Sequence, residues 1–286
     1  MSQIVHLLED CNTIELNNSQ KWKLQGYSKA GERTGFWLHP LKLVLDAGLG
    51  TNRQPKSVFI THKHIDHTGG LPYILSNRGK LTEVYMPERV FKPLATLQRG
   101  VRMLCDEEDH SDLNDTQIYE SQGCDPVIVK PGDLFRIAKN LQVEIFKSYH
   151  DTECVGYGFS FIKSKLKQEY INLSGSEIKN LRKSGVNITC EVIEPQLLFF
   201  CDSNVNNLTS NNEWKKYPVI MVECTGANKK TKSKFHTNLE DLVPIIQTQP
   251  DTQWLLIHTT LAFNVEKEGN NRLLEIGLAN LNVKFI

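Results

Sequence analysis

From Thr61 to Gly70 the chain reads Thr-His-Lys-His-Ile-Asp-His-Thr-Gly-Gly, directly after the apolar run Ser57-Val58-Phe59-Ile60. Alternate residues of an extended segment point the same way, so His62 and His64 leave the end of a strand on one side. Asp66 and His67 follow as the chain turns, and Gly69-Gly70 lets it enter a helix. Three imidazoles and one carboxylate thus fall within six residues. That donor set suits a borderline-soft divalent cation such as Zn²⁺, and it offers enough ligands to begin a second metal site.

The rest of the chain has to supply a framework for this loop. Short β-rich runs stand at Ile4 to Leu8, Phe36 to His39, Lys42 to Leu45, Val58 to Thr61, Glu83 to Met86, Val143 to Ser148 and Tyr157 to Ile162. Four more follow at Leu197 to Cys201, Val219 to Glu223, Trp254 to Thr259 and Val283 to Ile286. The pattern between them predicts helices over Gly70 to Asn77, Val90 to Gly100, Ser174 to Lys183, Leu239 to Gln247 and Asn271 to Ala279. The alternation is that of an α/β protein. No repeat and no Pro/Gly/Ser-rich linker divides the 286 residues, which predicts a single domain over 1–286. Seven Cys without a C-x-x-C pair show no disulfide framework or Cys-based zinc knuckle.

No leader-like segment and no run of transmembrane length is visible, so the expectation is a soluble protein without a membrane partner. A reducing compartment follows, the cytoplasm by default, with nucleus and organelle left open. Lys plus Arg and Asp plus Glu number 33 each, which argues against a protein that coats nucleic acid over its whole surface. The acid-rich stretch Asp106 to Asp115 reads as a solvated loop.

The H-x-H-x-D-H run resembles the signature of the metallo-β-lactamase superfamily. The resemblance implies a four-layer αββα sandwich with metals at one end of two sheets. It also implies where the remaining ligands lie: His150 after the run ending at Tyr149, Asp202 after Cys201, and His258 after Ile257. His62, His64 and His150 would then hold one ion and Asp66, His67 and His258 the other, with Asp202 bridging. Asp46 stands where the superfamily has a buried Asp that orients the metal loop. The implied cofactors are two Zn²⁺ per chain, with Mn²⁺ or Fe²⁺ as alternatives.

Further motifs are similar to those of the tRNase Z family. Val222-Glu223-Cys224-Thr225 followed by His236-Thr237-Asn238 resembles its His-Glu-Ala-Thr and His-Ser-Thr pair, with Val222, Cys224 and Thr237 substituted. His150-Asp151-Thr152-Glu153-Cys154-Val155-Gly156-Tyr157 resembles H-x-x-x-S-x-G-Y. The segment Lys165 to Thr189 is close to the substrate loop of the short, plant-type members, keeping Gly-x-Glu-Ile-x-x-Leu and Ser-Gly-Val-x-Ile-Thr. Gly26-Tyr27-Ser28-Lys29-Ala30-Gly31 matches the same proteins. Past His258-Thr259-Thr260, Leu261-Ala262-Phe263 departs from the usual Ser-x-Arg-Tyr.

The resemblance makes Asp66, Glu223 and His236 the catalytic residues, with Glu223 orienting His236 and His236 protonating the leaving ribose oxygen. It implies a homodimeric endoribonuclease that removes the 3′ trailer from precursor tRNA by attack of metal-activated water. Only 52 positions separate His150 from Asp202, so a short or replaced tRNA-gripping arm is expected. Phosphate contacts are expected from cations read as flanking the metal site: Lys163, Lys165, Lys167, Lys179, Arg182 and Lys183, then Lys229, Lys230, Lys232 and Lys234. Two alternatives stand beside this reading. One is a hydrolase of a small phosphodiester, lactone or β-lactam; the other is a non-catalytic metal- or RNA-binding relative.

Overall fold

The computed structural model describes residues 7–76, 81–106, 109–228 and 233–286. Its strands form two seven-stranded sheets, each in chain order. The first holds β1 (Thr13–Glu15), β2 (Lys23–Lys29), β3 (Arg33–His39), β4 (Leu43–Ala47), β5 (Ser57–Phe59), β6 (Thr82–Pro87) and β7 (Cys124–Val129). The second holds β8 (Leu134–Ala138), β9 (Leu141–Tyr149), β10 (Glu153–Leu166), β11 (Thr189–Phe199), β12 (Val219–Glu223), β13 (Gln253–Ile257) and β14 (Val283–Phe285). In each sheet the first four strands pair antiparallel and the rest pair parallel. The halves thus share a topology that no sequence repeat announces. Strand pairing needs the right alternation of apolar residues and not the same residues.

Side-chain alternation explains the layers. Leu43 and Leu45 point into the space between the sheets with Phe59, Tyr157, Phe159, Leu197 and Phe199. Val44 points outward to Val58, Leu71, Val90, Leu94 and Tyr119. On the second sheet Leu197 and Phe199 face in, while Leu198 and Phe200 face out toward Trp214, Leu239, Leu242, Trp254 and Leu273. Strands buried on both faces read as continuous apolar runs, which is why β4, β5, β11, β12 and β13 are visible in the sequence. The result is the four-layer αββα sandwich of the metallo-β-lactamase fold.

The eight α-helices among the described residues are α1 (Ile65–Thr68), α2 (Leu71–Ser76), α3 (Glu88–Asp106), α4 (Asp115–Ser121), α5 (Gly175–Lys183), α6 (Asn206–Thr209), α7 (Leu239–Gln247) and α8 (Val265–Glu275). Three sequence expectations need correction. The last helix starts six residues earlier than Asn271 and ends at Glu275, because the Asn264 side chain caps it at the Lys267 amide, 3.0 Å away. Of the run Ile4 to Leu8, residues 4–6 lie outside the described residues, and Leu8–Asp10 forms a 3₁₀ turn.

The acid-rich stretch is also more than a solvated loop. Asp106 ends α3, and Asn114 caps α4 in a reciprocal pair with Gln117. His110 is buried 3.0 Å from Asp106, and Arg99 reaches the His110 and Leu113 carbonyls and Asp115. Residues 107 and 108 lie outside the described residues.

One buried bond ties the sheets together just ahead of the metal loop. The Tyr157 hydroxyl on β10 donates to the Ile60 carbonyl after β5, at 2.6 Å, with both residues fully buried. Tyr157→Phe leaves that carbonyl without this donor, and should cost about 1–3 kcal/mol of stability. Denaturant unfolding of the two proteins measures it; an unchanged midpoint would show that the bond contributes nothing.

Candidate metal centre and active site

The site forms where strands of both sheets end. His62 and His64 follow β5, Asp66 and His67 lie on α1, His150 follows β9, Asp202 follows β11, Glu223 ends β12, and His258 follows β13. Parallel strands deliver their C-terminal ends to one edge, so residues far apart in sequence meet there.

Asp46 at the end of β4 organises the metal loop from behind. Its Oδ1 accepts the Thr61 amide at 2.8 Å, and its Oδ2 accepts the Thr61 hydroxyl and His67 Nδ1, each at 2.9 Å. The Thr61 hydroxyl also lies 2.9 Å from His62 Nδ1. Because it donates to Asp46, it accepts from His62. Both imidazoles are thereby held as tautomers whose Nε2 carries the lone pair. Those two Nε2 atoms are buried and have no hydrogen-bond partner among the described residues. An orphaned pair of imidazole nitrogens facing carboxylates is what an ion would complete. Gly48 lets the backbones close up here: a side chain would collide with the Asp66 carbonyl.

The separations match two adjacent ion sites. Asp202 Oδ2 lies 3.8 Å from His62 Nε2 and 3.7 Å from His150 Nε2, which is itself 3.4 Å from His64 Nδ1. Its other oxygen, Oδ1, lies 3.4 Å from His67 Nε2 and 3.1 Å from His258 Nε2, and Asp66 Oδ2 stands 3.4 and 3.5 Å from the same two nitrogens. Zinc–nitrogen bonds of about 2.0–2.1 Å put tetrahedral donors roughly 3.3 Å apart, so these spacings fit such ions. The donors therefore sort into the two expected triads, with one Asp202 oxygen turned toward each.

Electrostatics agree with that fit. Burial, reinforced by neighbouring imidazoles such as His67, holds the His62 pKa well below its usual value, keeping it in the neutral form that ligates. For His67 burial acts the same way, but the Asp202 and Asp46 carboxylates outweigh it and push the pKa well up. The carboxylates demand a cation at this point, and a divalent ion meets the demand as a proton would.

Beside the cluster, the fully buried Glu223 holds His236: Oε1 accepts Nδ1 at 2.9 Å. Glu223 is itself fixed by the Ser203 amide at 2.8 Å and by the Thr225 amide and hydroxyl at 3.1 and 2.5 Å. Burial disfavours the His236 cation, yet the Glu223 hydrogen bond and charge prevail and raise its pKa. The His236 ring sits 5.2 Å from that of His150 and 6.0 Å from that of His258.

Several contributors escaped the sequence reading. Thr61 and Cys201, whose Sγ is 3.6 Å from His67 Nδ1, adjoin motif residues but carry no pattern of their own, and Thr225 belongs to the Glu223 motif, which does not announce its hydrogen bond to that carboxylate. Asp151, with Oδ1 3.0 Å from His150 Nε2, is of the same kind.

The cation expectation needs a correction of place. β10 begins at the site with Glu153 and runs to the opposite end of the sheet, where β11 returns. Lys163, Lys165 and Lys167 on and after its distal half, and Lys179, Arg182 and Lys183 on α5, therefore stand away from the cluster. Ten residues at about 3.3 Å put Lys163 roughly 33 Å from Glu153. Sequence proximity to His150 misled because a strand carries the chain away. Lys163 and Lys165 also pair with Glu194, at 2.5 and 3.4 Å. Lys234 is exposed just before His236, while Lys229, Lys230 and Lys232 lie outside the described residues.

Asp46→Ala would strip the acceptor from Thr61 and His67 together in a buried place. A loss of about 3–5 kcal/mol is expected in denaturant unfolding. A midpoint equal to the parent's would show that the loop does not depend on this carboxylate.

Comparison with known proteins fits this geometry. Residues 42–277 match the family model described as Anti-Pycsar protein Apyc1. The chain is 30% identical to tRNase Z TRZ1 of Arabidopsis thaliana over 255 residues, 86% of this chain and 88% of that one. It is 35% identical to the nuclear ribonuclease Z of Triticum aestivum over 173 residues, 59% of this chain and 92% of that one. Among solved structures, the short form of human tRNase Z superposes with a TM-score of 0.52 at 13% identity, covering 92% of this chain and 95% of that one. The metallo-β-lactamase fold protein YhfI of Bacillus subtilis does so with 0.57 at 14%, covering 93% and 96%. The chain belongs to the tRNase Z family of metallo-β-lactamase-fold enzymes, and through residues 42–277 it belongs equally to the family of the Apyc1 model.

Proposed function

We propose that the chain is a zinc-dependent endoribonuclease that removes the 3′ trailer of precursor tRNA, leaving a tRNA 3′-hydroxyl and a trailer 5′-phosphate. The observation that carries this reading is the Glu223–His236 pair beside the two-ion cluster. A ribose 3′-oxygen leaves as an alkoxide and needs a proton, and an imidazolium held by a buried carboxylate supplies one. The relatives named as tRNase Z enzymes support precursor tRNA as the substrate.

His62, His64 and His150 would hold one ion, and Asp66, His67 and His258 the other, with Asp202 between them. Bound there, the ions would lower the pKa of water and offset the charge of the phosphodiester. Asp66 anchors its half of the cluster: its Oδ2 also accepts the Gly31 amide at 3.0 Å. Glu223 fixes the His236 ring so that the proton on Nδ1 is spoken for and the one on Nε2 is delivered.

The distal arm of β10, α5 and β11 stands at the far end of its sheet from its own cluster, where it would grip the body of an RNA and not the bond to be cut. We propose that it serves the cluster of a second copy, in a homodimer with precursor tRNA held across two chains.

Incubation with a 3′-extended precursor tRNA tests the central reading. Trailer release should vanish with chelator and in Asp66→Ala; release that persists in both would overturn it. Glu223→Gln should lower kcat by about 10²–10⁴-fold. A proton donor with a raised pKa stays charged to higher pH, so activity falls as pH rises through that value. Removing the carboxylate should therefore shift this fall to lower pH. Mixing Asp66→Ala chains with chains in which Lys179, Arg182 and Lys183 are Ala should restore activity that neither has alone. No restoration would argue against action across a dimer.

A second reading keeps the centre and changes the substrate to a small phosphodiester. The Glu194 pairs of Lys163 and Lys165, which partly neutralise the arm before any RNA arrives, favour it. Chromogenic small phosphodiesters turned over faster than precursor tRNA would select it.

A further inference from the structure

The end of β2, at Ser28 and Lys29, and the turn that follows reach from the first sheet to the loop after β13 in the second. Three contacts bring them to the ligands. The Ser28 hydroxyl accepts the His258 amide at 3.0 Å, the Ala30 amide donates to the Thr259 carbonyl at 3.1 Å, and the Gly31 amide donates to Asp66 Oδ2 at 3.0 Å. The end of β2 and its turn therefore touch two residues that face the same ion position. His258 has φ 56°, a left-handed conformation that a non-glycine residue keeps only when its surroundings impose it. Something must hold this turn and this loop in register.

Lys29 is placed to do so. Its Nζ donates to Thr259 Oγ1 at 2.7 Å and to the Phe263 carbonyl at 2.6 Å, and stands 6.0 Å from the Phe263 ring centre. Two of its three donors are thereby given to the loop, and its partial burial lowers its pKa. A cation committed in this way costs desolvation that only a fixed geometry offsets. The loop itself has no cation from Thr259 to Phe263. Here the cation comes from the other half of the chain.

We propose that Lys29 is a positioning residue for the ion position formed by Asp66, His67 and His258, clasping the β2–β3 turn to the 259–263 loop. The inference rests on the reading that the cluster takes two ions, and not on what the enzyme cleaves. With the clasp closed, the Gly31 amide holds Asp66 while Ser28 holds His258, so the two ligands stay at a fixed separation. With it open, the loop is free to drift and that position loosens, while His62, His64 and His150, which the turn does not touch, are unaffected.

Zinc titration of the full metal-free chain by calorimetry tests this. In Lys29→Met one ion should bind with the parent's affinity and the other about 10–100-fold more weakly. Lys29→Arg, which keeps the donors, should recover much of the loss, and Thr259→Val, which removes the side-chain acceptor, should reproduce part of it. Two ions bound as in the parent, or both weakened alike, would overturn the proposal. Should Lys29→Met fail to fold, the selective weakening in Thr259→Val decides the matter alone. A parent chain that takes a single ion would sink this inference and the two-ion reading together. Failure to cleave precursor tRNA, with the selective weakening intact, would sink the substrate reading only.

Discussion

Everything at the site depends on a carboxylate that faces none of the reacting groups. Asp46 sits fully buried at the end of β4 and takes three hydrogen bonds from Thr61 and His67. A buried carboxylate with its acceptors filled is tolerable, and one left open is costly. The bonds fix the start of the metal loop, the rotation of the His67 ring and, through the Thr61 hydroxyl, the His62 tautomer. Two imidazole lone pairs are thereby aimed at Asp202 before any ion arrives. Such preparation lowers what ion binding must spend on ordering the ligands.

The matched sheets explain why this arrangement lies where it does. Each half runs antiparallel and then parallel, and the parallel strands discharge their loops at a common edge. The first sheet contributes the H-x-H-x-D-H loop, and the second contributes His150, Asp202, Glu223 and His258. Because Asp202 offers one oxygen to each triad, neither group of imidazoles is complete without it. Contacts such as Tyr157 to Ile60 and Lys29 to Thr259 are then more than general packing, since they set the distance between donors that belong to different sheets.

Much of this was legible in the residues. Strands buried on both faces, such as β5 and β13, appear as apolar runs, and the ligands appear where those runs stop. β1, β2, β7 and β8 were not legible, because their half-exposed alternation includes many polar residues. α8 was misplaced because its first half, Val-Glu-Lys-Glu-Gly-Asn, carries almost no apolar stripe, and its real start is set by a side-chain cap at Asn264. The acid-rich stretch hid a second cap at Asn114 for the same reason: a few hydrogen bonds decide a boundary that composition does not mark.

By itself, then, the sequence determined the H-x-H-x-D-H run and the apolar strands ahead of the site, because strand ends and ligand types are local properties of the chain; the sandwich and the places of His150, Asp202 and His258 came through the family resemblance. The resemblance already implied Asp202 between the triads and Glu223 behind His236; only the tertiary structure decided which Asp202 oxygen faces which triad, which Glu223 oxygen takes the His236 ring, and that Lys29 locks one half of the chain to the other. It also decided that the cations after His150 belong to a distant arm and not to the mouth of the site. Those are matters of distance between segments far apart in sequence, set by how the two sheets pack and by the direction in which each strand runs.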